Sequence, residues 1–241
     1  MAGHDSQHQG FGRITDGLTQ DTLVDRTLAF VRERLPEWRD DPDRPQEQSE
    51  KKLNPQLCKF LNARARSDFP MACFNPEEPQ TGRRQVDLSA TPAETTTIDA
   101  REYAIYEPFL VFECKRLPAP SADRRMEYVT SGMSKKGGIQ RFKLGLHGAN
   151  LSVAAMIGYI QEKSSSHWHR LINQWVSGLA AGRVSDVCSW KDAEKLGHIE
   201  QDTASGIAVC ESDHERSGDV RGRSIRLHHL WDEMRTPESA K

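Results

Sequence analysis

Eight residues, Val153-Ala-Ala-Met-Ile-Gly-Tyr-Ile160, form an almost unbroken apolar run. The run is too short to cross a bilayer and lacks polar alternation, so it reads as a strand buried on both faces. Such a strand needs a covering layer on each side, which demands a layered α/β domain. The flanking segments agree. Phe109-Leu110-Val111-Phe112 lies within a long strand predicted from Tyr103 to Lys115. Ser164-Ser-Ser166 caps a helix predicted to about Ala181, with Trp168, Leu171, Ile172 and Trp175 as its apolar residues. Strands, a helix, a buried strand and a second helix together predict a mixed central sheet flanked by helices.

Upstream, Val24, Leu28, Val31 and Leu35 recur at helical spacing and predict a helix from about Leu18 to Leu35, after polar residues 1–16 that read as loose. Residues 36–45, with three prolines, end it. A second helix is predicted from about Gln46 to Arg66, with Asn54-Pro55 as its start or restart. Short strands follow at Met71–Phe74 and Arg84–Ser89, separated by a turn-like Asn75–Pro79. A polar connection over Thr91–Ile98 precedes the long strand, and a third helix is predicted from about Asp123 to Met133. Two more strands, Gly206–Glu211 and Arg223–Leu230, bracket an exposed loop. The chain divides into an N-terminal helical segment (1–44), a core (45–182) and a strand-containing extension packed on it (183–241).

Hydrophobic residues make up 36% of the 241, and mean hydropathy is -0.71, so a modest core carries a highly charged surface. Five cysteines without a CxxC pair exclude a close-spaced structural zinc site and predict a reducing, cytoplasmic setting. The N-terminus lacks the basic and apolar regions of a signal peptide, and no stretch approaches the length of a membrane span. Formal net charge is -2, so any nucleic-acid contact must use locally concentrated charge. Such a segment exists. From Lys115 to Lys143 eight basic residues face only Asp123 and Glu127, a local charge of +6. A basic strip just after a site-bearing strand is where a phosphate backbone would lie, which singles out Lys135, Lys136, Arg141 and Lys143.

The long strand closes on Glu113-Cys114-Lys115. Residues two apart on a strand share a face, and an acid and a lysine at the end of a buried strand are costly to desolvate without a purpose. Asp87, 26 positions earlier on the preceding strand, adds a second carboxylate. Glu50 adds a third from the second helix, and Glu77 and Glu78 are either a further source or simply the turn before a strand. Two carboxylates beside an ammonium are suited to holding a divalent cation and hydrolysing a phosphodiester.

The order Glu50, Asp87, Glu113-x-Lys115 resembles the PD-(D/E)XK nuclease superfamily, the restriction-endonuclease-like fold, over residues 45–182. Val86 stands where the family motif often has proline. The resemblance implies that Asp87, Glu113 and Glu50 hold Mg²⁺, with Mn²⁺ as a substitute and the Cys114 carbonyl as a further ligand. It also implies that Lys115 orients water or stabilises developing charge. Gln140 and Arg141 resemble residues of the helix that follows the motif, which many members direct into the site. The segments Glu78–Arg84, Gly137–Phe142 and Ala155–Ile160 are similar to members associated with phage defence. The implied activity is Mg²⁺-dependent cleavage of DNA, most simply by an endonuclease effector. RNA as substrate, a homodimer or larger assembly, and docking of a catalytically silent subunit on an ATPase or sensor partner stay open.

Other signals carry less. Gly132 to Gly137 has Walker-loop glycine spacing without the following Lys-Ser/Thr. His167 and His169 lie two apart on a helix and so do not share a face. His214, His228 and His229 read as structural histidines.

Overall fold

The computed structural model describes residues 22–80, 84–98, 100–217 and 220–234. Residues 1–16 and the predicted helix start at Leu18 lie outside the described residues.

The first helix, α1 (Leu23–Arg39), opens on a capping box: Thr22 Oγ1 accepts from the Asp25 N–H, and the Asp25 carboxylate accepts from the Thr22 N–H. The second, α2, runs unbroken from Glu50 to Asp68. The expected restart at Asn54-Pro55 is therefore corrected. Asn54 serves instead as a buried acceptor for the Tyr159 hydroxyl at 3.1 Å, which fixes α2 to the sheet. Pro55 removes one helical N–H, and the helix tolerates it one turn past its start.

Among the described residues nine strands follow, interleaved with two α-helices. They are β1 (Ala72–Pro79), β2 (Gln85–Pro92), β3 (Thr96–Ile98), β4 (Arg101–Tyr103) and β5 (Leu110–Leu117), then α3 (Gly138–Lys143), β6 (Val153–Ile160) and α4 (Ser165–Ala180), and finally β7 (Glu200–Asp202), β8 (Ile207–Glu215) and β9 (Ser224–Glu233). Seven of the strands form one mixed sheet in the order β1-β2-β5-β6-β9-β8-β7, while β3 and β4 make a separate hairpin. The parallel pairs β5–β6 and β6–β9 lie at the centre, and antiparallel pairs flank them. The run that opened the argument is thus the middle strand, with Ala154 to Ile160 all buried. The C-terminal strands extend this same sheet and share its core.

Helices cover both faces. Tyr159 meets Trp38 of α1 and Asn54 of α2, whereas Met156, of opposite parity on the strand, lies under Gly138 of α3. Trp231, paired with Gly158, contacts His169 of α4 on the α3 side.

Three expectations need correction. Asn75–Pro79 is strand, with Glu77 at φ 51° and the register to β2 the same on either side of it. Prolines are tolerated there because β1 is an edge. The long strand from Tyr103 is two pieces, β4 and β5, joined by a loop. No helix spans Asp123–Met133. The carbonyls of Glu127, Tyr128 and Val129 instead accept from the N–H groups of Gly138, Ile139 and Gln140 at 2.8, 3.2 and 2.9 Å. They thereby satisfy the open N-terminus of α3 and cannot serve a helix of their own.

Candidate active site

The site forms where β2 and β5 diverge, at the carboxyl end of β5, the end at which open α/β sheets present ligands. The ladder pairs Leu88 with Phe112 and then stops. Beyond it the Asp87 side chain takes over the backbone's role, and Oδ2 accepts from the Cys114 N–H at 2.7 Å. Glu50 is the first residue of α2, where the positive end of the helix favours a carboxylate.

Three carboxylates converge on one ammonium. Lys115 Nζ lies 2.8 Å from Glu113 Oε1, 3.2 Å from Glu50 Oε1 and 4.0 Å from Asp87 Oδ2, and it donates to the Cys114 carbonyl at 2.9 Å. The Cys114 thiol is buried and takes no part, so the residue contributes only its backbone.

The three acids are not equivalent. The Glu113 side chain is 0% exposed and Lys115 6%, but Asp87 and Glu50 keep 25% and 24%. Glu113 is also gripped from α3 and beyond. Arg141 Nη1 donates to its Oε1 at 2.6 Å, and His147 Nδ1 lies 3.0 Å from its Oε2. Burial opposes ionisation of Glu113, yet Lys115, His147 and Arg141 outweigh it and hold the acid far below the usual carboxylate range. Asp87 behaves in the opposite way. Burial, then the charge of Glu113, pushes it up to about 7 against the pull of Lys115. Burial also opposes the charge of Lys115, but Glu113, Glu50 and Asp87 drive it above its ordinary value.

The half-buried Asp87 and Glu50 line a cleft of about 230 Å³ together with Glu77, Asn54 and Pro76. Glu78 turns elsewhere and accepts from Ser89 Oγ at 3.0 Å. Among the described residues no three His, Cys, Asp or Glu side chains form a ready cation cage, because the carboxylates gather on Lys115 instead. The donor set nonetheless suits a hard divalent ion. Asp87 and Glu50 offer partly solvent-facing carboxylate oxygens of the kind such ions take.

The expected nucleic-acid residues separate. Lys135 and Lys136 are exposed, and Arg141 points inward to Glu113. Gln140 and Lys143 are not brought to that surface. Gln140 is buried and staples the preceding loop: its amide nitrogen donates to the Gly132 carbonyl and to Asp186, both at 2.6 Å. Lys143 is sealed against Glu194, the Glu215 carbonyl at 3.1 Å and the Trp190 ring at 4.8 Å. His147 is the participant that sequence reasoning missed. It follows α3 in a turn with no motif spacing, and only its burial against Phe142 and Glu113 reveals it.

No family model, curated protein or solved structure matches this chain.

Proposed function

We propose that this chain is a Mg²⁺-dependent nuclease that hydrolyses phosphodiester bonds of DNA, acting as an endonuclease effector of anti-phage defence. One observation carries the chemistry: Glu50, Asp87 and Glu113 converge on Lys115 at a strand end beside an open cleft. The defence context rests on the resemblance alone.

Asp87 and Glu50 would hold the ion, and it would supply a Lewis acid and a more acidic bound water. The chain's own residues do the rest. Glu113 keeps the Lys115 ammonium charged and fixed in a dry setting, where an aimed cation stabilises developing phosphoryl charge better than in water. Arg141 and His147 hold Glu113 in turn, so the lysine does not depend on the half-buried acids for its position. The basic Lys135-Lys136 pair offers phosphate contacts near the strand that bears the site.

A second reading has its own support. Glu113 Oε1 is engaged by Lys115 and Arg141 and Oε2 lies beside His147, as expected of a nuclease-like subunit that binds nucleic acid or docks on an ATPase or sensor partner without cutting. Plasmid cleavage separates the two. Wild type should nick or linearise supercoiled DNA with Mg²⁺ or Mn²⁺ and not with EDTA. Lys115→Ala and Asp87→Asn should each lose at least ~100-fold in rate, the scale of removing one aimed electrostatic group. Unchanged cleavage in both folded variants would overturn the nuclease reading.

A further inference from the structure

A larger pocket, about 760 Å³, opens between the 123–136 segment and Val184. The carbonyl of Gly132 in its wall accepts from Gln140 of α3, and the next residue of that helix, Arg141, donates to Glu113, which ties the pocket wall to the carboxylate site. Its wall is cationic. The Arg124–Glu127 pair cancels, Arg125 and Lys136 make no ion pair among the described residues, and the exposed Asp123 is the one other acid in the lining. Lys135, next in chain, adds a further charge. The rim is apolar. Of four large hydrophobic side chains exposed among the described residues, Val184 (38%) lines this pocket and Met133 (71%) stands between two residues that line it.

A cationic wall and an apolar rim around a concavity of this size suit a ligand with an anion at one end and a flat apolar body at the other. A closed duplex is a poor match, because its phosphates lie on a convex surface and its bases are stacked inside. An unpaired nucleotide is a good match: its phosphate meets Arg125 and Lys136, and its base packs on the Met133 thioether, Met126 and Val184. We infer that this pocket receives an unpaired nucleotide of single-stranded DNA, an overhang or a flap. The substrate would then be DNA with a free single strand at the cleavage site. The inference rests on the nuclease reading for what happens to that nucleotide, though not for its binding.

Fluorescence anisotropy on the full chain in EDTA tests it, with a short single-stranded DNA and the blunt duplex of the same sequence as probes. The single strand should bind at least ~10-fold tighter. Arg125→Ala with Lys136→Ala should weaken it about tenfold and flatten its salt dependence. Met133→Ala should weaken the single strand about threefold and leave the duplex unchanged. These side chains are exposed or pocket-lining, so thermal melts of the variants should overlay wild type. Equal affinity for both probes, no binding of either, or a single-strand affinity indifferent to Met133→Ala overturns the pocket. Because cleavage is not read, a protein that never cuts DNA can still pass this test, and one that cuts plasmid can still fail it.

Discussion

Asp87 and Glu113 lie on neighbouring strands and meet one lysine, yet their carboxyls are shifted in opposite directions. The difference is one of supply. Glu113 has Lys115, Arg141 and His147, and Asp87 has a share of Lys115 and one backbone N–H. For Asp87 the sign follows directly. Its folded value of about 7 lies above the ordinary 3.8, so the folded state disfavours its charge. That penalty is absent below about pH 4, grows between the two values and is complete above 7. At pH 7.5 without divalent ions, Asp87→Asn should therefore stabilise the protein by ~1–3 kcal/mol in urea unfolding, discounted for partial exposure. A destabilised variant would contradict this. Arg141→Ala should act the other way and cost ~1–3 kcal/mol, because it removes a charge-assisted bond from a buried carboxylate. The convergence of Glu50, Asp87, Glu113 and Lys115 was legible because strand parity and helix position are written in the sequence. His147 was not, since a turn carries no periodicity.

At the scale of elements, the buried strand β6 and helix α4 read directly from hydrophobic pattern, and the misreadings have separate physical causes. Buried polar groups look like loops. In β8 the inward positions after Cys210 are Ser212 and His214, so the strand seemed to end at Glu211 although alternation continues to Glu215. In 123–133 the deciding bonds run to α3, which no local pattern announces. The Gly137-Gly138 pair, which resembles part of a phosphate loop, is explained by that crossing. A Cβ on Gly137 would stand 2.3 Å from Thr130 Cα, and one on Gly138 2.8 Å from the Tyr128 carbonyl. Gly137→Ala should thus destabilise by at least ~2 kcal/mol through overpacking. Gly178→Ala in α4, where nothing lies within 4 Å, should instead stabilise by ~0.5–1 kcal/mol. Thermal melts of the two variants check the contrast, and equal shifts would contradict it.

At the scale of the molecule, one apolar cluster runs from α1 to β9, and a buried polar chain crosses it. The Trp231 indole can only donate, so it donates to the Tyr128 hydroxyl at 2.8 Å and thereby fixes every later step. Tyr128 donates to His229 Nδ1 at 2.7 Å, His229 Nε2–H to Ser212 Oγ at 2.8 Å, and Ser212 to His214 Nε2 at 2.7 Å. Both histidines are held neutral. Burial, with His228 and His169 nearby, pushes His229 down to about 3, and burial also lowers His214. Their stabilising contribution is present above about pH 6.5 and lost as pH falls towards 3. Urea midpoints should fall on acidification, and more shallowly in His229→Gln; parallel curves would contradict the chain's role. Among the described residues no helix is long and apolar enough to cross a membrane. The divalent-cation site proposed at half-buried Asp87 and Glu50, backed by the Glu113–Lys115 pair, is open to a direct test. Calorimetric titration of Mg²⁺ and Mn²⁺ into wild type and Asp87→Asn at pH 7.5 addresses it most directly. Wild type should show one saturable site, weakened at least ~10-fold in the variant. Identical isotherms, or no binding by wild type, would contradict it.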